Sequence, residues 1–169
     1  VEVTLYYEGK AVDTYKVRTG IRTVTLSRTD TTDKNGNGDF CFIVNGKRIF
    51  AMGSNWVPLD PFHSRDESRL HAAFDLLYDV GSNITRCWGG NVYESDEFYS
   101  LCDEHGIMVW QDFAMGCSVY PQDEHFQKVL RDEATYIVKR LRSHASIVLW
   151  AGDNECDYAY ASWSGIERN

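Results

Sequence analysis

The stretch Ser146-Ile147-Val148-Leu149-Trp150-Ala151-Gly152-Asp153-Asn154-Glu155 sets two carboxyl groups and a carboxamide directly behind an apolar run of strand length. An uninterrupted apolar run suits a parallel strand covered on both faces. In α/β folds the groups just past the carboxyl end of such a strand line the active site. Glu155 therefore has the position of a proton donor, with Asn154 beside it. The spacing is equally compatible with a turn made by Asp153 and Asn154, with Glu155 facing water.

Three earlier strand-like runs end in similar chemistry: Asn55-Trp56 before Pro58, Arg86-Cys87-Trp88-Gly89-Gly90-Asn91, and Gln111-Asp112-Phe113. Tryptophan, arginine, carboxamide and carboxyl groups gathered at one place suit a sugar. Aromatic faces stack on its C–H side, while carboxylates and arginine bind its hydroxyls. Each tryptophan taken singly fits a core position as well as a platform. Glycines 89 and 90 are consistent with a tight turn.

The elements that must position these groups follow from the periodicity. Residues 2–7 and 21–28 alternate apolar with polar residues and read as half-buried antiparallel strands, with a polar loop from Thr29 to Asp39. Asn45-Gly46 between Phe40–Val44 and Arg48–Ala51 is a hairpin signal, because both residues tolerate positive φ. After Met52 the pattern becomes strand–helix alternation. Ile49 to Trp56 is read as the first strand and its outgoing loop. Ser64-Arg65-Asp66-Glu67 fits a capping box, opening a helix with Leu70, Ala73, Phe74, Leu77 and Tyr78 on one face, closed by Gly81. Ile84–Trp88 is the second strand, followed by a short helix from Asp96 to Gly106. Ile107–Gln111 is the third. A longer helix carries Phe126, Val129, Leu130, Ala134, Ile137, Val138 and Leu141, and Ile147–Trp150 is the fourth strand. Repeated strand–helix units mean a parallel sheet, either open or the first half of a (β/α)8 barrel.

Bulk properties narrow the function classes. With 43% hydrophobic and 14% aromatic residues among 169, the chain can bury a core. A formal charge of −8 argues against a nucleic-acid partner. No stretch is apolar for long enough to cross a bilayer as a helix. Val1 opens inside a strand-like segment, so the chain is expected to be part of something longer. Cys41, Cys87, Cys102, Cys117 and Cys156 are odd in number and lack a paired spacing, which favours free thiols over a disulfide framework. Compartment is left open: free thiols suit the cytoplasm, export suits polysaccharide degradation.

The sequence resembles glycoside hydrolase family 2, in its β-mannosidase branch. The resemblance rests on Val44-Asn45-Gly46-Lys47-Arg48-Ile49-Phe50 with Asn55-Trp56, on Arg86 to Gly90 with Tyr93-Glu94, and on Phe98-Tyr99 through Cys102-Asp103-Glu104. It continues through Gly106-Ile107-Met108-Val109-Trp110-Gln111-Asp112-Phe113, Tyr120-Pro121, Arg140-Leu141-Arg142-Ser143-His144, Ser146-Ile147-Val148-Leu149-Trp150 and Asn154-Glu155. It implies an α/β fold: the first half of a (β/α)8 TIM barrel in residues 40–169. Residues 1–39 would be the last strands of an immunoglobulin-like β-sandwich, with a linker.

The resemblance also implies roles. Glu155 would be the general acid/base and Asn154 would bind the 2-hydroxyl. Arg86 and Trp88 would line the subsite for the terminal sugar, Asp112 would support it, and Trp56 joins the substrate-binding set. The substrate would be an oligosaccharide or glycoside, with no metal or cofactor. The nucleophile would follow strand seven, beyond Asn169, so the chain alone would be inactive and its open edges could dimerise. Glu155 would need apolar neighbours and the nucleophile's charge to keep its proton. Ala145 stands where the branch usually has proline, and Asp153 where it often has asparagine.

Two motifs compete for attention. Asp33-Lys34-Asn35-Gly36-Asn37-Gly38 begins like a calcium loop, but its twelfth position is Val44 where a bidentate glutamate is required, so a linker is the better reading. Cys102-Asp103-Glu104-His105 offers zinc-ligand types without a second pair nearby. Three other readings remain: an exo-β-glucosaminidase or β-galactosidase-type enzyme, a non-catalytic sugar-binding module using Trp56, Trp88 and Trp163, or a small complete α/β protein. A binding module has no need of a carboxyl behind a buried strand.

Overall fold

The computed structural model describes residues 1–32, 34–35 and 38–163. The chain opens with an antiparallel hairpin, β1 (Glu2–Tyr7) and β2 (Lys10–Lys16), turning at Glu8-Gly9 with φ of 48° and 76°. The expectation of half-buried strands fails here. Val3, Leu5, Tyr7, Val12 and Tyr15 are all exposed, because no second layer covers either face of the hairpin among the described residues.

Three antiparallel strands follow: β3 (Val24–Thr32), β4 (Gly38–Val44) and β5 (Lys47–Ile49), with Asn45 and Gly46 turning at φ 49° and 77° as their types favour. Two sequence boundaries move. The stretch from Thr29 is not all loop, because β3 runs on to Thr32, which pairs with Gly38; threonine is β-branched and suits a strand despite its polarity. Ile49 belongs to this sheet, pairing with Phe42, and the first parallel strand begins only at Gly53. The calcium-loop candidate, Asp33 to Asp39, includes residues outside those described, as is the side chain of Trp163.

A parallel sheet in the order β6 (Gly53–Trp56), β7 (Ile84–Cys87), β8 (Met108–Asp112) and β9 (Ile147–Ala151) forms the body of the molecule. Helices α1 (Glu67–Asp79), α2 (Asp96–His105) and α3 (Glu124–Leu141) follow the first three strands. Strand order identical to chain order, each crossover a helix, is the winding of half a (β/α)8 barrel. Strand registers decide which side chain faces which way. Asn55, Arg86 and Trp110 are cross-strand partners on the concave face; Trp56, Cys87, Gln111 and Trp150 are partners on the helix-facing side.

The helix-facing side holds the larger core: Trp56, Leu70, Phe74, Phe98, Val109 and Leu141 are all buried in it. Each such side chain contributes about 1.5–3 kcal/mol by leaving water. A second core joins Phe42 of β4 to Ile84 and Met108, the first residues of β7 and β8. The three-stranded sheet thereby covers the amino end of the half barrel and leaves its carboxyl end open.

Helix ends mostly follow the sequence signals. Ser95 Oγ and Asp123 Oδ1 accept from the Phe98 and Phe126 amides at 3.3 and 2.9 Å, caps worth about 1 kcal/mol each. Gly106 ends α2 at φ 69° and Gly81 follows α1 at φ 76°. The capping box at Ser64 is not formed. Ser64 lies inside a 3₁₀ turn (His63–Arg65), and Asp66 enters α1 already helical, its carboxylate taken by His63 Nδ1 at 3.0 Å.

Candidate active site

At the open end, the exits of β7, β8 and β9 come together. Asp112 closes β8 with its side chain fully buried, and the Arg86 fork meets it with Nη2–Oδ2 2.6 Å and Nε–Oδ1 3.3 Å. The Gly89 amide donates to the same Oδ2 at 3.0 Å, so the carboxylate is well supplied with donors. Arg86 Nη2 also donates to Asn154 Oδ1 at 2.9 Å, and the guanidinium carbon sits 4.9 Å from the Trp110 ring centroid. A buried charge pair is tolerable only with such geometry and saturation. The result is a rigid base from which Asn154, itself buried, is aimed.

The loops approach closely because they carry glycines. A Cβ on Gly89 would sit 2.3 Å from the Met115 carbonyl oxygen and 3.1 Å from the Asn154 amide nitrogen; one on Gly116 would sit 3.1 Å from the Gly90 nitrogen. Gly89 therefore serves backbone approach between neighbouring exits, and the tight turn read from sequence is present as well, the Asn91 amide donating to Trp88 O at 2.9 Å. Gly116 and Asn154 form a parallel bridge. The Asn154 amide donates to Met115 O at 2.9 Å and the Cys117 amide to Asn154 O at 2.8 Å, tying the β9 exit to the β8 exit.

Glu155 follows in the left-handed region, φ 58° and ψ 18°, and is exposed. Its carboxylate Oε2 receives the Cys117 thiol at 3.8 Å. The apolar enclosure expected around it is not supplied by the described residues. Asp153 accepts from the Cys156 amide at 3.1 Å, so the turn reading holds for Asp153 while Asn154 joins the ion-pair network.

The tryptophans divide. Trp88 is half-buried, with its ring lying where a Cβ on Gly90 would come within 2.2 Å. Trp56 departs from its expected place in the substrate set. It is 5% exposed and packs its ring 4.9 Å from that of Phe98, on the helix side. Strand alternation is the reason: with Arg86 facing the concave side, its partner Asn55 must do so too, and Trp56 must point away. Asn55, Arg86 and Trp110 line a cavity of about 620 Å³ on the concave face, floored by Phe42 and Ile49.

Sequence reasoning missed Cys117 and Gly116, whose neighbours in sequence carry no periodic signal. It also gave no partner to Asp103. That carboxylate bridges His144 Nδ1 and the Ser146 amide at 2.8 and 2.7 Å, fixing the turn into β9. Burial pushes the Asp103 carboxyl up, but the hydrogen bonds from His144 and Ser146 prevail and hold it below its ordinary range. The zinc motif is dispersed by the same packing. Cys102 is fully buried with its thiol pushed far up by desolvation, and His105 lies edge-on to Phe74 and Tyr78. Among the described residues no three His, Cys, Asp or Glu side chains are placed to hold a metal ion, and no helix is long and apolar enough to cross a membrane.

Residues 38–164 match the family described as glycosyl hydrolases family 2, TIM barrel domain. The chain is 50% identical over 121 residues to a β-mannosidase of Capra hircus, covering 71% of this chain and 14% of that protein. It is 42% identical over 167 residues to β-mannosidase B of Thermothelomyces thermophilus, covering 98% and 19%. The crystal structure of a β-D-mannosidase from Dictyoglomus thermophilum superposes with a TM-score of 0.87 at 41% identity, covering 97% of this chain and 20% of that one. The chain thus spans no more than about a fifth of these relatives. With four parallel strands joined by three crossover helices, an arginine–aspartate pair at the strand ends and an Asn-Glu exit from β9, the chain belongs to glycosyl hydrolase family 2, its residues 38–164 matching the TIM barrel domain.

Proposed function

We propose that the polypeptide carrying this chain is a retaining, exo-acting β-glycosidase that removes terminal β-mannosyl residues, with Glu155 as its general acid/base. The single observation that carries this is the chain of contacts from Asp112 through Arg86 to Asn154, with Glu155 as the next residue at the mouth of the half barrel. Relatives named β-mannosidase at 42–50% identity support the choice of sugar.

Retention needs two carboxyl groups about 5–5.5 Å apart. A nucleophilic carboxylate, supplied from outside these residues, attacks the anomeric carbon and forms a glycosyl-enzyme. Glu155 gives its proton to the departing oxygen. In the second half Glu155, now a carboxylate, takes a proton from water as the water attacks the same carbon, and the nucleophile leaves. Asn154, with its carbonyl oxygen held by Arg86, donates to the sugar's 2-hydroxyl, a bond that strengthens as positive charge develops at the neighbouring carbon. Arg86 and Asp112 work through this positioning, and Trp88 offers a face to the terminal sugar. The open edges of β6 and β9 accept the remaining barrel strands, and without them the chain hydrolyses nothing.

The complete polypeptide is tested on aryl β-mannosides, β-galactosides and β-glucosaminides, with proton NMR following the first-formed anomer. β-Mannoside preference with β-mannose appearing first is expected. An initial α-anomer, or a preference for another glycone, would overturn the mechanism or the sugar assignment respectively.

A further inference from the structure

The Cys117 side chain touches both Asn154 and Glu155: Asn154 Nδ2 donates to its sulfur at 3.2 Å, and its thiol donates to Glu155 Oε2 at 3.8 Å. With Asn154 Oδ1 accepting from Arg86, the donors run in one direction, from Arg86 to Asn154 to Cys117 to Glu155. The carboxamide is thereby oriented, oxygen to the guanidinium and nitrogen to the sulfur. The backbone gives an independent observation. Cys117 sits at φ 51°, a region that favours glycine, and its predecessor Gly116 does not take it. A side chain with a Cβ kept in a strained conformation at an active site points to work done by that side chain.

We propose that Cys117 is a positioning residue for the proposed reaction: it links the ion-paired base of the site to Glu155 and sets that carboxyl's direction. The inference rests on Glu155 being the acid/base. A thiol is a weak donor. It therefore directs the carboxylate without strongly favouring the charged form, which an acid that must be protonated before each turnover requires. A hydroxyl in its place is a stronger donor and favours the carboxylate more; removing the donor altogether favours it less.

The test is the pH profile of kcat/KM on an aryl β-mannoside for Cys117→Ser, Cys117→Gly and Glu155→Gln in the complete polypeptide. Glycine relieves the backbone at this φ, so the Cys117→Gly protein is expected to fold with an undiminished melting temperature. It should nevertheless lose about 10–100-fold in kcat with little change in KM. Its alkaline limb, which reports loss of the acid's proton, should move to higher pH, and that of Cys117→Ser to lower pH. A purely structural role moves neither limb. Profiles that coincide with the unsubstituted enzyme, or limbs that shift in the same direction, overturn the proposal. Those results beside an inactive Glu155→Gln leave the acid/base assignment standing, whereas undiminished Glu155→Gln turnover brings down both.

Discussion

Arg86 and Asp112 meet as a two-pronged ion pair, 2.6 and 3.3 Å, at the carboxyl ends of adjacent strands β7 and β8. The Asp112 side chain is wholly buried and the Arg86 side chain about three-quarters so, at 23% exposure. Asn154, one exit further along, takes its orientation from the same guanidinium. The site's geometry is thus set by strand ends and transmitted by an arginine fork.

Breaking that pair is expected to be costly. Arg86→Met leaves a buried carboxylate with only the Gly89 amide as a cross-strand donor, a loss of about 3–5 kcal/mol. The melting temperature of the complete polypeptide should fall by several degrees and mannosidase turnover should vanish. Arg86→Lys keeps the charge but cannot serve Asp112 with two prongs and Asn154 together, and should lose activity with a smaller drop in stability. An unchanged melting temperature in the methionine variant would contradict the burial argument.

Gly89→Ala and Gly152→Ala separate close approach from glycine content. At Gly89 the added carbon meets backbone atoms at 2.3 and 3.0 Å, whereas at Gly152 nothing lies within 4 Å. The first substitution should cost about 1–3 kcal/mol and depress turnover by forcing the exits apart. The second should be silent in both. Equal behaviour of the two variants, read by thermal unfolding and steady-state rates, would count against the packed-exit geometry.

The Asp103 bridge makes a pH prediction. Its carboxyl is held below the usual range in the fold, so its contribution to stability is complete above the unfolded value of about 4 and is lost as pH falls through the depressed folded value. Asp103→Ala removes the partner of the half-buried His144 ring and of the Ser146 amide, an expected loss of about 1–3 kcal/mol at pH 7. The difference from wild type should shrink in acid. A gap that stays constant down to pH 2 would refute the linkage.

Glu94 carries the opposite sign. It is 6% exposed, and burial raises its carboxyl despite a hydrogen bond from Asn91 Nδ2 at 3.2 Å. A raised acid binds its proton more tightly in the fold, so its charge burdens the folded state at pH values above the folded value and stability improves as pH falls through it. Glu94→Gln keeps an acceptor for Asn91 and removes the charge. The expected outcome is unchanged or higher stability at pH 7; a clear loss in denaturant titration would show that the carboxylate is instead well paired.

Much of this was readable before any coordinates. β8 and β9 announce themselves as short apolar runs ending in polar groups, and Asn45-Gly46 can hardly turn any other way. Arg86, Asp112 and Asn154 were legible because strand ends in a parallel sheet must converge. Trp56 was misassigned although the information was present: period-two alternation puts it on the side opposite Arg86's partner Asn55. The capping box at Ser64 failed for a tertiary reason, since Asp66 is engaged by His63 and the chain enters α1 through a 3₁₀ turn. β3's extension to Thr32 was hidden because threonine looks like loop by polarity and like strand by shape. Cys117 had no signal at all, for its importance lies in a left-handed backbone and two contacts across loops.

The most direct measurement is the turnover of Glu155→Gln in the complete polypeptide on an aryl β-mannoside with a poor leaving group. Glutamine preserves size and accepts the Cys117 thiol but can neither give nor take the proton. A loss of about 100- to 10,000-fold in kcat/KM, with the fold intact by circular dichroism, is the expected result. Turnover equal to that of the unsubstituted enzyme would contradict the assignment of the acid/base to the end of β9.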